Sequence, residues 1–377
     1  MHDVLIAGGG PVGAALALSL RHSDLDIALI DSGEGPDTPL RPIALSQASR
    51  LILDRLIPDY VATAGTPIRS VHVSQSEGFG RTLISETDLD VPALGYVFNL
   101  GDLAHALNRS VDCTRIKGRL TRWDAGDDGV QARIRREEQT LEAKARLLII
   151  ADGGQFAGDD LALRDYGQNA VVAWVRPEQP PQGRAWERFR AEGPLALLPF
   201  GERYALVWTT TPSQARALLA MKEMDFLRAL QKAFGHRLGS FVEAGPRSSF
   251  PLQLRFRTSP VAGPRSLIIG NAAQTLHPVA GQGLNLGLRD AFELAELLRP
   301  SRQTEIGTNT FLEKYRVRRG ADRQASIAAT DSLVRFFSAD IPSLRPLRGI
   351  ALTALDLIPP LRRVFARRMV YGLRNLP

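Results

Sequence analysis

The stretch 267–298 combines residue types that suit the binding of negative charge. An apolar run, 267–269, is predicted to be a buried strand that ends at Gly270. The loop after it contains Pro278, Gly281 and Gly283, and apolar residues then follow helical spacing at 284, 288, 291, 295 and 298. The loop amides and the helix N-terminus therefore point at one place. Such a place binds an anion or stabilises a group that becomes negative during a reaction.

His277 is the obvious titratable residue of this loop. One interpretation is a group that transfers protons near the reaction centre. The other is a hydrogen-bonded loop histidine that precedes a proline. No residue in the sequence stands out as a general base, so that role stays open.

The N-terminal 31 residues carry a second site. An apolar strand leads into Gly8, Gly10 and Gly13 with the spacing G-x-G-x-x-G, Pro11 and Val12 lie between them, and the next strand ends at Asp31. This order is the βαβ fingerprint of a dinucleotide site. Gly8 permits the tight turn, Gly10 lets the backbone approach a pyrophosphate, and Gly13 lets helix and strand pack closely. Asp31 lies where a carboxylate would accept the ribose hydroxyls.

Two further features accompany this site. The apolar run 147–150 ends at Asp152 and Gly153, which again places ligand-type residues at the carboxyl end of a buried strand. Arg41 lies ten residues beyond Asp31 and either returns to the phosphates or is a solvated arginine before a helix.

The elements that must position these residues predict an α/β protein. Alternating residues and an Asp-Asp-Gly turn at 127–129 predict a β-ribbon over 115–143, and helices are expected over 309–337, 344–358 and 361–373. Strands over 169–211 contain Trp174, Trp186 and Trp208. Their rings either roof a pocket for a planar apolar substrate or belong to an ordinary core.

Composition and charge narrow the class. The 377 residues are 44% hydrophobic and 23% charged, with one cysteine, which excludes a disulfide framework and fits a reducing compartment. No signal peptide or membrane-spanning run is expected, so we predict a cytoplasmic protein. The net charge is +7, and 341–377 contains seven arginines and one acid, Asp356. We therefore expect no nucleic-acid partner, and no metal site.

Taken together, the three strand ends resemble a known family. The segment 270–290, with the Gly8–Gly13 loop and the Asp152-Gly153 pair, is similar to class A flavoprotein monooxygenases of the p-hydroxybenzoate hydroxylase fold. Within them it resembles the ubiquinone-biosynthesis hydroxylases of the UbiH/UbiF/visC branch, in the form seen in 2-octaprenyl-6-methoxyphenol hydroxylases. The resemblance covers essentially the whole chain. It implies a Rossmann-like FAD-binding domain, an interleaved antiparallel-sheet substrate domain and a C-terminal helical region.

The resemblance also implies roles for individual residues. The ADP half of FAD would contact the first loop and its acid, Arg41 would lie along the cofactor, and Asp152 and Gly153 would contact both FAD and the nicotinamide cofactor. Gly270 and Asn271 would lie at the ribityl chain, where Asn271 replaces the usual aspartate and can still accept a hydrogen bond. The isoalloxazine ring would be flanked by Pro278, Gly281, Gly283, Leu284 and Asn285.

The implied function is hydroxylation of a polyprenylated methoxyphenol in ubiquinone biosynthesis, at the carbon para to the phenol hydroxyl. NADPH or NADH and O2 would be co-substrates, and a C4a-hydroperoxyflavin would transfer oxygen. The alternatives are a hydroxylase of a soluble aromatic compound and a flavin-binding subunit without turnover. Phe156 and Asn99 depart from the family pattern and motivate the second alternative.

The domain boundaries follow from the same resemblance. The FAD-binding domain would comprise 1–69, 96–165 and 250–338, and the substrate domain 70–95 and 166–249. The cationic segment 339–377 would be an interfacial helix region that reaches an inner-membrane surface, a docking site for proteins of a ubiquinone-synthesis complex, or a solvated face.

Overall fold

The computed structural model describes residues 1–33, 41–76, 78–154, 161–276, 281–338 and 344–372. Within these ranges it is a mixed α/β protein, which confirms the predicted fold class. The strands, in chain order, are β1 (His2–Ala7), β2 (Ile27–Asp31), β3 (Pro42–Ser46), β4 (Thr66–Ile68), β5 (Ser70–Gln75), β6 (Arg81–Ser85), β7 (Gly95–Asn99), β8 (Thr114–Lys117), β9 (Arg119–Ala125), β10 (Val130–Arg136), β11 (Gln139–Ile150), β12 (Leu161–Pro177), β13 (Arg184–Phe189), β14 (Leu195–Phe200), β15 (Arg203–Thr210), β16 (Phe241–Ala244), β17 (Ser248–Arg257), β18 (Val261–Gly263), β19 (Ser266–Ile268) and β20 (Gln274–Thr275).

The last three of the α-helices lie within two residues of the bounds predicted from apolar periodicity, 309–337, 344–358 and 361–373. In chain order the α-helices are α1 (Pro11–Ser19), α2 (Gln47–Leu56), α3 (Pro58–Ala64), α4 (Leu100–Ser110), α5 (Pro212–Ala220), α6 (Glu223–Phe234), α7 (Gln282–Leu298), α8 (Asn309–Ser338), α9 (Leu344–Leu357) and α10 (Pro359–Tyr371). The prolines at 359 and 360, which were predicted to separate two helices, are the first residues of α10. Proline is tolerated there because the first helical N–H groups have no partner within the helix.

The first large sheet brings the three predicted ligand sites together. Its order is β18-β19-β11-β1-β2-β8, and the strands from β19 to β8 are parallel. Val4, Leu5 and Ile6 of β1 are all fully buried, because helices and sheet cover both faces of a central parallel strand. The carboxyl ends of β19, β11, β1 and β2 consequently lie side by side. The predicted ribbon is also present, since β9, β10 and β11 pair antiparallel.

The second large sheet has the order β20-β17-β12-β15-β14-β13-β5-β6 and is antiparallel apart from the pair β13–β5. One face packs against α5 and α6. Trp208 lies in that layer, 6.1 Å from the ring of Phe226, so for this residue the core interpretation is correct. Strand β12 continues across the predicted boundary at 165/166, where its pairing with β17 shifts register between Asp165 and Gln168. The domain division stays a prediction.

The C-terminal helices pack back over the second sheet. Ala366 and Val370 of α10 are buried with Ile84 and Leu94. Leu352 of α9 is buried in another cluster, beside the stacked rings of Phe189 and Phe337. A small sheet of β3, β7 and β4 lies between the two large ones. No described helix has both the length and the apolar content needed to cross a bilayer.

Candidate active site

The glycines of the first loop serve two different purposes. A Cβ atom on Gly8 would lie 2.5 Å from the Ala151 carbonyl oxygen, and one on Gly13 would lie 2.0 Å from that of Gly8. These two glycines therefore allow strand, loop and helix to touch. A Cβ atom on Gly10 would meet nothing within 4 Å. Gly10 is the N-cap of α1 and faces open space, which is where a pyrophosphate would need to approach the backbone.

Asp31 ends β2 beside this loop. Its carboxylate accepts a hydrogen bond from the Gly33 N–H at 3.1 Å and lies 3.6 Å from Nη1 of Arg115. The loop is also fixed by Asn108 of α4, whose Nδ2 donates to the Gly9 carbonyl oxygen at 2.7 Å. Sequence reasoning missed Asn108, because it lies 99 positions from its partner and no motif connects them.

The second and third strand ends meet the first loop. Oδ1 of Asp152 accepts from the Gly154 N–H at 2.9 Å, and Gly153 has a φ of +77°, which favours glycine. Gly270 has a φ of +63°, and a Cβ there would lie 3.1 Å from Val12 of α1. The predicted residues Val12, Asp152 and Gly153 thus line one wall, and Gly270 packs behind Val12.

Asn271 and the start of α7 form the opposite part of this wall. Asn271 is exposed, and its Oδ1 lies 3.9 Å from the Cβ position of Gly283. Gly281 caps α7 with φ and ψ of 60° and 27°, and no side chain of the described residues caps the helix. The 17-residue helix therefore directs its positive end into the site, where it stabilises developing negative charge.

Asn285 positions the helix through its own hydrogen bonds. Its Oδ1 accepts from the Ser46 N–H at 2.8 Å, and its Nδ2 donates to the carbonyl oxygens of Ala44 and Gly281 at 3.1 and 2.7 Å. The side chain is 3% exposed and both amide hydrogens are used. Asn285 thereby joins β3 to the first turn of α7.

A buried network of charged side chains fixes this wall from behind. Oδ2 of Asp290 accepts from the Gly270 N–H at 3.2 Å and from Nε2 of Gln274 at 2.8 Å. Its Oδ1 accepts from Nε of Arg319 at 2.8 Å, and Arg319 also donates to Asp322 at 2.8 Å. Burial lowers the pKa of Arg319, but the carboxylates of Asp290 and Asp322 outweigh it and raise the pKa. Seven charged residues of α7 and α8 take part: Arg289, Asp290, Glu293, Arg318, Arg319, Asp322 and Arg323.

Three residues that the sequence analysis names, His277, Pro278 and Phe156, lie outside the described residues. Arg41 lies at the site with its guanidinium carbon 5.7 Å from the ring centroid of Phe250, and its carbonyl oxygen accepts from the Leu100 N–H at 2.9 Å. Leu284 lines the site together with its neighbours Gln282 and Gly283.

The site opens into a cavity of about 1840 Å³ that extends to the second sheet and the C-terminal helices. Its far walls are largely apolar. They consist of side chains from the second sheet, such as Val73 and Leu252, and from α8, α9 and α10, such as Phe337, Leu352 and Met369. A cavity with one polar, glycine-rich end and one apolar end suits a large cofactor beside an apolar substrate.

Glu187 is the exception in the apolar region. It lies on β13, lines the cavity and forms no hydrogen bond or ion pair with any described residue. Burial raises the pKa of its carboxyl to about 7. Sequence reasoning missed it, although an acid at 187 between Ala185 and Phe189 on an alternating strand is a signal for a carboxyl on an apolar face.

The pattern of a family described as FAD binding domain matches residues 1–330. This chain belongs to the FAD binding domain family. Ubiquinone hydroxylase UbiL of Rhodospirillum rubrum is 34% identical, over 100% of this chain and 91% of that protein. The 3-demethoxyubiquinol 3-hydroxylase of Escherichia coli is 31% identical over 96% of each. The crystal structure of p-nitrophenol 4-monooxygenase PnpA from Pseudomonas putida DLL-E4 has a TM-score of 0.78 at 17% identity, over 99% of both chains.

Membership agrees with the geometry of the site. The chain is an FAD-dependent monooxygenase, and its co-substrates are NAD(P)H and O2. Its residues fit FAD, because Gly10 leaves open space at a helix N-terminus, Asp31 has further lone pairs for hydroxyl groups, and α7 directs its positive end at the same cavity. When bound, FAD supplies the redox centre through which electrons pass from NAD(P)H to O2.

Proposed function

We propose that this flavoprotein hydroxylates the aromatic ring of a polyprenylated methoxyphenol in ubiquinone biosynthesis, at the carbon para to the phenol hydroxyl. The observation on which the proposal rests is the cavity that runs from the glycine loops to the apolar walls of the second sheet and α8–α10. Such walls bind a ring with a long apolar tail by the hydrophobic effect. The named relatives act on ubiquinone or its precursors, which supports the same substrate class here.

The residues of the chain contribute binding, orientation and exclusion of water. The loop amides and the start of α7 stabilise negative charge at the polar end of the cavity without reorganisation. The apolar side chains at the other end keep water away from the reacting atoms, so that oxygen is transferred to the substrate. Asn285 and Asp290 hold these parts in register.

Steady-state oxidation of NAD(P)H by the aerobic holoenzyme tests the proposal. A prenylated methoxyphenol should stimulate the oxidation and be converted to a hydroxylated product, whereas a soluble aromatic acid should not. Stimulation by the soluble compound alone would favour a hydroxylase of a soluble aromatic compound. Bound FAD without stimulation by either would favour a non-catalytic subunit. The intermediate that accumulates in a deletion strain identifies the ring carbon.

We infer further that the turn between α9 and α10 contacts the membrane that holds the substrate. Leu357 and Val364 are 72% and 66% exposed, and Ile358 and Leu361 lie beside them. Arg363 and Arg367 are exposed on the same helix. An apolar cluster with adjacent basic residues suits the surface of an anionic bilayer. The same helices also wall the cavity, which offers a short path for the substrate tail.

Flotation with phosphatidylethanolamine–phosphatidylglycerol vesicles tests this contact. The full chain should float, and a Leu357→Ser, Leu361→Ser, Val364→Ser variant should not, because the three side chains are exposed and their loss leaves the core intact. Equal flotation of both proteins would contradict membrane contact through this turn. If neither floats, docking on proteins of a ubiquinone-synthesis complex becomes the better explanation of the cationic segment.

A further inference from the structure

The substrate end of the cavity contains one ionisable side chain. Seven described residues with ionisable side chains line the cavity, and six of them belong to the FAD-binding region between 31 and 152. The seventh, Glu187, comes from the second sheet. Every residue that α8, α9 and α10 contribute to the wall is apolar, so no cation faces Glu187 from the helices that cover it.

The strands around Glu187 also leave it without a charged neighbour. On β13 the side chains alternate, so Arg184 and Arg188 point to the face opposite Glu187. The residues paired with Glu187 are Val73 of β5 and Ala196 of β14. The one titratable residue of these two strands, His72, stacks on Trp186 at 4.7 Å. Desolvation alone therefore raises the pKa of Glu187, and no counter-charge offsets it.

Strand β13 places this carboxyl between the reaction centre and the apolar end. Ala185, on the same face, packs in a cluster with Ala44. Ala44 in turn touches the cap of α7, because a Cβ on Gly281 would lie 3.2 Å from that of Ala44. Phe189, two residues in the other direction, stacks on Phe337 of α8. Two strand residues span about 6.6 Å, so Glu187 is one such step from the cluster beside Gly281, the cap of α7.

We propose that Glu187 receives the phenol hydroxyl of the substrate and takes its proton as the ring is oxygenated. The assignment rests on the proposed function, which supplies the phenol, NAD(P)H and O2. The carboxylate accepts the O–H proton, and the freed electron pair of the phenol oxygen moves into the ring. The ring carbon then forms its bond to one oxygen atom of O2, and this oxygen later takes the proton of the attacked C–H. The other oxygen leaves as water with the two electrons and the hydrogen of NAD(P)H and one proton from solvent.

Glu187 also returns the proton that it takes from the substrate. Restoring the aromatic ring releases the proton of the attacked C–H, and the former phenol oxygen recovers a proton from the Glu187 carboxyl. Glu187 is then a carboxylate again. A carboxyl whose pKa lies near the working pH is suited to both transfers.

Binding of an unreactive pair of probes tests the assignment without turnover. The probes are a short-chain prenylated phenol and its methyl ether, titrated into holoenzyme in the absence of NAD(P)H. Above pH 7 the wild type should prefer the phenol by about 10-fold, because a carboxylate accepts a charge-assisted hydrogen bond that an ether cannot donate. At about pH 5.5 the preference should shrink, and in Glu187→Gln it should be small at every pH.

Activity supplies the second measurement. Glu187→Gln should lower kcat/KM about 100-fold and abolish the rise in rate near pH 7, while FAD content stays that of the wild type. Glu202→Gln, an exposed carboxyl in the turn between β14 and β15, is the matched control and should behave as the wild type.

The outcomes separate the two proposals. A phenol preference that survives in Glu187→Gln, or that does not change with pH, would overturn the role of Glu187 and leave the proposed function intact. Binding of neither probe by the wild type would contradict the proposed function, and the assignment would fall with it. Equal loss of phenol and ether binding in Glu187→Gln would identify a merely structural role.

Discussion

The two sides of the cavity treat buried charge in opposite ways. Behind Gly270, the side chains of Asp290 and Arg319 are each 2% exposed. Both carboxylate oxygens of Asp290 accept hydrogen bonds. Across the cavity, Glu187 has no protein partner among the described residues. The first arrangement fixes a loop in one position. The second leaves a carboxyl ready for a group that the protein itself does not supply.

This difference distinguishes buried charges that stabilise the fold from a charge that is available to a substrate. A buried charge with partners on all sides has no capacity left for a ligand, and its removal exposes the partners to an apolar interior. A buried charge without partners weakens the fold, and its presence is explained by a function.

Removing Asp290 should have the largest effect. Asp290→Ala leaves Arg319 without one of its two carboxylates and Gly270 without its acceptor, so we expect a loss of about 3–5 kcal/mol in the free energy of unfolding. Purified protein should also contain less FAD. Urea unfolding and flavin absorbance measure the two effects. Glu313→Ala breaks an exposed pair with Arg316 on the same helix α8 and should change the free energy of unfolding little, because solvent screens the pair.

Substitutions of Gly13 and Gly10 should affect different properties, stability in the first case and cofactor binding in the second. Gly13→Ala places a Cβ 2.0 Å from a backbone carbonyl oxygen and should destabilise the fold by about 3 kcal/mol. Gly10→Ala meets no protein atom within 4 Å, so the apoprotein should unfold as the wild type does while FAD binding is lost. Thermal unfolding of apoprotein and titration with FAD measure both. Retention of FAD by Gly10→Ala would show that the open space is not the pyrophosphate site.

The carboxyl of Glu187 should make the free energy of unfolding fall as pH rises. The folded pKa of Glu187, about 7, is above the ordinary 4.5, so the folded state holds its proton more tightly and stability is lost as pH rises from about 4.5 to about 7. Glu187→Gln removes this dependence. It should be more stable than the wild type by about 3 kcal/mol at pH 8 and little different at pH 4.5. Urea unfolding at both pH values checks this, and an equal difference at each would contradict a raised pKa.

The same contrast explains what the sequence could predict. Glycine spacing, apolar runs and helical periodicity are local, so the strand ends at Gly8, Asp152 and Gly270 and the helix that begins beside Gly281 were predictable. The roles of Asn108 and Glu187 depend on pairings made far along the chain. The orientation of Glu187 follows from β13 pairing with β5, which is more than a hundred residues away, and no periodicity in six residues encodes that choice.

The smallest effect is expected for an ion pair at the rim. Arg362 of α10 lies 2.9 Å from Asp88, with side chains 19% and 9% exposed, and its Nη1 donates to the Asp356 carbonyl oxygen at 2.6 Å. Charge alone would assign this arginine to a solvated basic face, but the structure pairs it with Asp88.

Because this pair is less buried than Asp290 and Arg319, Arg362→Met should cost only about 1 kcal/mol, and the cost should shrink in high salt. Arg363→Met, an exposed arginine on the same helix, is the control and should change nothing. Urea unfolding at low and high salt measures the difference. The loss in free energy of unfolding could also be as large for Arg362→Met as for Asp290→Ala. Burial would then not determine how much an ion pair stabilises this protein. The contrast between the two sides of the cavity would lose its physical basis.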